Sequence, residues 1–238
     1  AIAQKAAKYK PRKLESHVKS TKLSGLQSLS LKDKTPLIRI SERTNISGSK
    51  QLASYIREEN YEQALRIARD QIQLGADMLN ISLDDSLIDA RSVMPDFLNL
   101  LSSEPDIATV PFMIDSSHFD VIESGLKCLQ GKSIVNSISL KDGEEEFKRK
   151  AEKIRDLGAA VVVMAFDEKG QADTYQRKIE ICERAYGILT QKLEFPPEDI
   201  VFDPNVFAIG TGIEEHKNYG RDFIRAVEWI KHNLPYAK

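Results

Sequence analysis

The chain has 238 residues, of which 41% are hydrophobic and 29% are charged, with 34 Lys and Arg against 36 Asp and Glu. No run approaches the roughly 20 apolar residues that cross a bilayer, and no apolar core follows the first lysines, so the sequence indicates neither a membrane span nor a secretory signal. The two cysteines, Cys128 and Cys182, fall within predicted helices, which excludes a disulfide framework and favours a cytoplasmic protein with reduced thiols.

Residues 1–34 are predicted to form a basic arm that differs from the rest of the chain. They carry nine Lys and Arg against two Asp and Glu, whereas the remainder is acidic. Tyr9 is the only aromatic residue of the arm and no RNA-reading or helix-turn-helix pattern follows, so nucleic-acid binding is not expected. We predict a short helix near residues 3–9 and then an aperiodic linker over 16–34, which lacks the period of a core element and contributes to no site.

From Leu37 onward, short apolar runs alternate with long amphipathic segments, which is typical of repeated βα units. We predict six strands, over 37–40, 78–81, 110–114, 133–136, 160–164 and 200–202. Helices are predicted over 61–74, 86–102, 119–130, 144–157, 173–191 and 219–232. Several strands are apolar at consecutive positions, as parallel strands covered on both faces require.

Two local patterns are assigned to structure and not to ligand binding. Gly75, Gly131 and Gly158 follow three predicted helices, where a left-handed cap residue is expected. The acidic and basic run over 144–150 predicts i,i+4 ion pairs on a solvated helix face.

Repeated βα units fit either an open doubly wound sheet or a closed barrel. A doubly wound nucleotide site would show a Gly-rich turn after the first strand, and the sequence has neither GxGxxG nor a Walker lysine pattern. Each predicted strand instead ends in carboxylate or amide residues, and barrels gather their chemistry at the carboxyl ends of the strands. These residues are Glu42 and Asn45, Asp84 and Asp85, Asp115, Asn136, Asp167, and Asp203 with Asn205. We therefore favour the barrel.

A ring of carboxylates and amides with few Lys or Arg beside it does not suit a phosphate. It suits a flat heterocycle with adjacent N–H donors and a carbonyl, such as the 2-aminopyrimidinone ring of a pterin. The competing interpretation is a metal site built from Glu42, Asp115 and Asp203, but no histidine accompanies them at a zinc-like spacing, so no metal is expected. His118 is a rival general acid, or a solvent-facing residue of a first helical turn.

The motifs at these strand ends resemble the folate-binding domain of cobalamin-dependent methionine synthase. They are Glu42-Arg43-Thr44-Asn45, Met113 to Ser117, Gly131 to Ser139, Val163 to Thr174, and Phe195 to Asn205. The resemblance runs from about Leu23 to the last residue, and Phe166 to Thr174 is its most specific part. More widely, the Asp, Asn and Asp-Pro elements resemble the pterin-binding superfamily, which includes dihydropteroate synthase.

This resemblance implies a TIM-type (β/α)8 barrel that binds 5-methyltetrahydrofolate and donates its N5 methyl group to cob(I)alamin, leaving tetrahydrofolate. It implies six pterin-binding residues, which are Glu42, Asn45, Asp115, Asn136, Asp203 and Asn205. Asp115 and Asn136 are also the predicted catalytic residues, with Asp115 anchoring the ring more than donating a proton. The implied partners are a cobalamin-binding domain and a homocysteine-binding domain of the same longer chain, and only the latter holds zinc.

Six strands leave such a barrel two βα units short. We therefore expect residues 35–238 to form a C-terminally incomplete barrel, in which strands seven and eight are absent and the first and sixth strands do not pair. An Asn of the seventh strand, implied near N5, would lie beyond Lys238.

The chain departs from the family pattern at two places. Ser41 stands where the pattern usually has Gly, and Asn80-Ile81-Ser82 stands where it has Asp-Ile-Asn or Asp-Val-Asn, so Asn80 and Ser82 are not assigned as ligands. Two alternative functions stay open: a pterin condensing enzyme of the dihydropteroate synthase type, which needs Lys and Arg for a pyrophosphate leaving group, and a non-catalytic folate-binding module.

Overall fold

The computed structural model describes residues 2–10, 19–31 and 37–238. Ten strands form in the described residues: β1 Thr21–Ser24, β2 Ser28–Leu31, β3 Ile40–Ser41, β4 Met78–Ser82, β5 Phe112–Asp115, β6 Ile134–Ile138, β7 Ala160–Met164, β8 Phe166–Asp167, β9 Gly170–Gln171 and β10 Ile200–Asp203. Eight α-helices accompany them: α1 Ile2–Ala6, α2 Lys50–Arg57, α3 Tyr61–Gln73, α4 Ala90–Ser103, α5 Phe119–Leu126, α6 Glu144–Asp156, α7 Tyr175–Gly187 and α8 Tyr219–Asn233. The six predicted helices and five of the six predicted strands are confirmed, with shifted ends. The first strand, predicted over 37–40, shares only Ile40 with β3.

The central sheet has six parallel strands in the order β10-β7-β6-β5-β4-β3. Strands that follow one another in the β/α repeat therefore lie side by side, and the sheet curls into part of a (β/α)8 barrel, which confirms the predicted fold class. Among the described residues β3 and β10 do not pair with each other. The outer edge of β10 is met by Lys238, whose N–H donates to the Ile200 carbonyl at 3.0 Å and whose carbonyl accepts from Phe202 N–H at 2.7 Å.

Two apolar layers follow from the alternation of side chains along each strand. Residues on the outer face, such as Leu79, Ile114 and Val161, pack against the helices. Residues on the inner face form a second cluster, made of Met78, Met113, Ile134, Ala160 and Val162 together with Leu23. Burial of these large apolar side chains stabilises the fold by roughly 1.5–3 kcal/mol each.

The structure corrects the expectation that residues 16–34 contain no core element. Strands β1 and β2 form an antiparallel hairpin, and Leu23, only 1% exposed, packs into the inner cluster at the amino ends of the barrel strands. The sequence hid this element because four residues per strand are too few to establish a period. Residues 11–18 and 32–36 lie outside the described residues, so the division between arm and barrel at residue 34 stays a prediction.

The glycine predictions are confirmed at two positions and wrong at the third. Gly75 and Gly158 have φ of 92° and 76°, the left-handed region expected after a helix. Gly131 is required for a different reason: a Cβ there would lie 1.9 Å from the carbonyl oxygen of Ser24 in the hairpin. Gly131 thus permits the hairpin to approach the loop before β6.

Candidate functional site

Asp115 and Asn136 lie side by side at the carboxyl ends of neighbouring strands. They are register partners in the β5–β6 pair, two residues beyond the inner-layer residues Met113 and Ile134. Because side chains two residues apart share a face, both point toward the inside of the barrel. A cavity of about 470 Å³ opens there, and its lining includes Asn45, Asp84, Asp115, Asn136, Lys141, Lys150, Phe166 and Gln171.

One amide joins the carboxylates at this end of the barrel. Asn80 Nδ2 donates to Glu42 Oε2 and to Asp115 Oδ2, at 2.9 Å each. Asn45 Nδ2 also donates to Glu42 Oε2 at 3.2 Å. The structure therefore brings Glu42, Asn45 and Asp115 together, through an Asn80 that sequence reasoning had set aside.

Asp84 organises the loop that follows Asp115. Its carboxylate accepts hydrogen bonds from Ser116 Oγ at 2.5 Å, from Ser117 N–H at 2.7 Å and from Ser117 Oγ at 2.7 Å. These bonds hold the loop after β5 against the loop after β4. The sequence showed Asp84 at a strand end but gave no sign of this network, because the serines belong to the neighbouring strand's loop.

The two aspartates of this site respond to their surroundings in opposite ways. Burial raises the pKa of the Asp115 carboxyl, and the charges of Glu42 and Asp84 raise it further, although the bond from Asn80 opposes them. Burial also raises the pKa of Asp84, but the hydrogen bonds from Ser116 and Ser117 outweigh it and hold that pKa below its ordinary value. Asp115 is the carboxyl of the pair that takes up a proton more readily.

Asp203 and Asn205 lie farther around the sheet. Asp203 faces the inside, two residues after the inner-layer contact Val201, and it is the register partner of the cavity residue Met164. Asn205 is buried, and its Nδ2 donates to the Ala165 carbonyl at 2.6 Å. Neither belongs to the residues that line the cavity, and their assignment as pterin ligands stays a prediction.

A buried cation that was not foreseen holds the loop after β10. Lys178 is 1% exposed, and its ammonium donates to the carbonyls of Ala172, Pro204 and Asn205 at 2.6, 2.8 and 2.9 Å. Burial lowers the pKa of this lysine. Lys178 fixes the backbone that follows Asp203 without facing the cavity.

His118 does not join the cavity. It is exposed at the start of α5 and lines the adjoining groove with Asp84 and Asp120. A separate cavity of about 280 Å³ at the opposite end of the barrel, below the hairpin turn, is lined by no ionisable side chain. The chemistry-bearing residues therefore gather at the carboxyl end of the sheet.

Two lysines at the cavity correct the expectation that cations are scarce at the strand ends. Lys141 and Lys150 both belong to its lining. The 144–150 run does form ion pairs, with Glu144 to Lys148 at 2.7 Å and Glu146 to Lys150 at 3.4 Å, but the Lys150 side chain is only 17% exposed and reaches the site. Gly143, with φ of 88°, forms the turn between Lys141 and the helix that carries Lys150. This glycine, just before the 144–150 run, is the sign of the turn that the sequence offered.

The segment that carried the most specific part of the resemblance forms a small hairpin at the rim. Strands β8 and β9 pair antiparallel, and Phe166 and Gln171 line the cavity. Arg177 stabilises the hairpin by donating to Asp167 at 2.8 Å and to the Gly170 carbonyl at 2.9 Å. This segment thus contributes directly to the wall of the site.

Within the described ranges, no group of three or more His, Cys, Asp and Glu side chains could hold a metal ion. No helix formed by the described residues has both the length and the apolar character to cross a membrane.

Solved structures with the same fold include several dihydropteroate synthases. The enzyme from Vibrio fischeri is 18% identical, with a TM-score of 0.58 over 90% of this chain and 76% of that one. The enzyme from Thermus thermophilus is 22% identical, with a TM-score of 0.55 over 87% of this chain and 73% of that one. The enzyme from Yersinia pestis is 16% identical, with a TM-score of 0.55 over 86% and 70%. Identities this low establish a common fold and leave the reaction open.

The family is settled by the sequence itself. A sequence family described as pterin binding enzymes matches residues 41–237. This range covers the central sheet except for Ile40, the helices that pack on it, and every residue of the candidate site. The chain therefore belongs to the pterin binding enzyme family.

Proposed function

We propose that this protein binds 5-methyltetrahydrofolate and releases its N5 methyl group to cob(I)alamin carried by another domain. The observation that carries the proposal is the wall of the cavity, to which Phe166 and Gln171 contribute beside Asp115 and Asn136. This contribution supports the proposal, because Phe166 and Gln171 belong to the segment that resembles methionine synthase. We further propose a cytoplasmic location, consistent with two free cysteines.

The residues at the site fit the edge of a pterin. A carboxylate such as Asp115 accepts from the 2-amino group and the neighbouring ring N–H, and a charged acceptor makes these bonds stronger than neutral ones. Asn136, next in register, both donates and accepts, which suits a carbonyl beside an N–H group. Asn45 lines the cavity as well, and Glu42, which does not line it, accepts hydrogen bonds from Asn45 and Asn80.

Bound in its own domain, the corrinoid supplies the cobalt nucleophile that accepts the methyl group. The task left to this chain is to hold the tetrahydropterin and to favour protonation or hydrogen bonding at N5, because an unprotonated amine leaves poorly. Asn136 is the group we assign to a hydrogen bond near the reacting edge, and Asp115 anchors the ring.

The experiment is an anaerobic assay of this protein with 5-methyltetrahydrofolate and cob(I)alamin, followed by the absorbance of the reduced corrinoid. We expect loss of the cob(I)alamin band with one tetrahydrofolate formed per methyl group transferred. Asp115→Asn should slow the reaction, while Asp120→Asn, an exposed change on α5, serves as the control. Folate binding without loss of the band would favour a non-catalytic module.

A dihydropteroate synthase type of condensation is the second candidate. The solved structures with this fold favour it, and so do Lys141 and Lys150, since a pyrophosphate leaving group needs cations close to the pterin. The same preparation is therefore assayed with a dihydropterin pyrophosphate and p-aminobenzoate. Formation of dihydropteroate, with no methyl transfer, would replace the first proposal by this one.

A further inference from the structure

Asn80 is a buried polar residue beneath the candidate site, with 1% of its surface exposed. It is the register partner of Met113, two residues before Asp115 reaches the mouth of the barrel. Its single amide nitrogen lies 2.9 Å from a carboxylate oxygen of Glu42 and 2.9 Å from one of Asp115. The two carboxylates are therefore held within twice that distance of each other by one neutral group.

The orientation of this amide follows from its neighbours. Turning it by 180° would set its oxygen against both carboxylates, so the nitrogen faces them. Its Oδ1 is buried and has no hydrogen-bond partner among the described residues. The backbone carbonyl of Asn80 is already paired, with Thr44 Oγ1 at 2.7 Å. All hydrogen bonding by the side chain is thus directed to Glu42 and Asp115.

The groups that act on Asp115 come from several elements. Glu42, after β3, and Asp84, after β4, repel its charge. His118, at the start of α5, acts on Asp84 and lowers the pKa of that carboxyl. Lys141 and Lys150 line the same cavity as Asp115, from the α6 side. Among these groups, only the Asn80 amide touches both Glu42 and Asp115.

We propose that Asn80 is a positioning residue, which holds Glu42 and Asp115 together in their charged forms so that Asp115 can accept hydrogen bonds from a pterin. The inference rests on the proposed folate binding and adds the group that prepares the acceptor for it. An aspartate at this position would place a third carboxyl group against the other two and supply no more than one donor. The neutral amide supplies two donors and no charge.

The test is the pH dependence of 5-methyltetrahydrofolate affinity, measured by equilibrium titration from pH 8 down to the lowest pH at which the protein stays folded. We compare the wild type with Asn80→Leu, which removes both donors at similar size, and with Asn80→Asp. Each variant should keep a proton on Asp115 to higher pH, so its loss of affinity should grow as the pH falls. The growth reaches about tenfold for each unit of pKa change once the pH lies below the pKa of Asp115 in both proteins. Protonation of the ligand affects its binding to the wild type and to each variant equally, so it cancels in the ratio of their affinities.

Thr44→Val is the matched control. It removes a buried hydrogen bond to the same residue but touches neither carboxylate, so its affinity ratio to the wild type should stay constant over pH. Glu42→Gln, at an exposed position, removes a negative charge that repels Asp115. Its affinity relative to the wild type should therefore change with pH in the opposite direction to that of the Asn80 variants, which provides a test if those variants do not fold.

Constant ratios for the Asn80 variants, or for Glu42→Gln where those do not fold, would overturn the inference and leave the proposed function standing. A wild-type protein that binds no folate at any pH would instead overturn the proposed function, and this inference with it.

Discussion

Asp115 sits where a charged carboxyl is costly to the folded protein. It is partly buried, Glu42 and Asp84 repel it, and these effects raise its pKa even though Asn80 donates to it. A residue in such surroundings is typical of a site at which a ligand, and not the protein, completes the set of hydrogen bonds. Both its affinity for a pterin and its effect on stability are therefore measurable consequences of its position.

Asp115→Asn should weaken the binding of 5-methyltetrahydrofolate. The change keeps the shape of the side chain but removes the charge from hydrogen bonds that typically contribute about 1.5–3 kcal/mol, so we expect a loss of roughly 10- to 150-fold in affinity. Equilibrium titration measures it, with Asp120→Asn as the control. An unchanged affinity would show that the pterin does not lie on Asp115.

The same substitution should raise the melting temperature at pH 7. A carboxyl whose pKa is raised on folding stabilises the protein only while it is protonated, below its unfolded pKa of about 3.9, and that contribution is lost as the pH rises through the folded pKa. Asparagine does not ionise, so the variant does not lose this stability as the pH rises. Each 1 kcal/mol gained in the free energy of unfolding raises the melting temperature by about 2–4 °C at this chain length. Thermal unfolding from pH 3 to pH 8 should show the gain disappearing in acid.

Asp84→Asn should do the opposite. The pKa of Asp84 is lowered on folding, so its ionised form stabilises the protein above the unfolded pKa and this contribution is lost as the pH falls through the folded pKa. We expect a lower melting temperature at pH 7 and a shrinking difference in acid. Equal melting temperatures at pH 7 would contradict the role given to its bonds with Ser116 and Ser117.

At the scale of elements, what the sequence could predict depended on length and period. Strands β4 to β7 and β10 are four or five residues long and are each followed by a long helix, so the alternation of run types predicted them. The hairpin β1–β2 and the two-residue strands β8 and β9 have no such alternation. They exist because of partners elsewhere in the chain, such as the inner cluster for Leu23 and Arg177 for β8.

Gly131→Ala should destabilise the fold by displacing the β1–β2 hairpin. The added Cβ would meet the Ser24 carbonyl at 1.9 Å, and overpacking of this kind typically costs about 1–3 kcal/mol. Gly187→Ala is the matched control, since Gly187 has helical angles and nothing lies within 4 Å of its added Cβ. That change should stabilise by about 0.5–1 kcal/mol in chemical denaturation. Equal effects of the two substitutions would contradict the close approach.

At the scale of the whole molecule, the site could be predicted only in outline. Strand ends are visible in a sequence, so Asp115, Asn136 and Glu42 were found, and parallel strands bring their carboxyl ends to one edge. Contacts across strands are not visible, which is why the amide bridge of Asn80 and the return of Lys150 over the cavity were missed. The arm was misjudged for the same reason, because the other buried members of the cluster that contains Leu23 lie more than 50 positions away in the sequence.

Removing residues 1–20 should leave pterin affinity unchanged. The described residues in this range have largely exposed side chains and none of them lines the cavity. Leu23→Ala, in contrast, should cost about 2–5 kcal/mol of unfolding free energy, because a buried leucine is lost from the inner cluster. Titration and chemical denaturation measure the two effects, and a tenfold loss of affinity on truncation would show that the arm belongs to the site.

The buried ammonium of Lys178 gives the protein an internal reporter of local opening. An amine-reactive reagent can modify this lysine only when its three carbonyl partners release it, so its labelling rate measures how often the segment after β10 opens. Exposed lysines such as Lys231 would be labelled at once and provide the reference rate in the same sample. A ligand that engages Asp203 should slow the labelling of Lys178 but not that of Lys231, which would allow occupancy of that side of the barrel to be followed by mass spectrometry without any substitution.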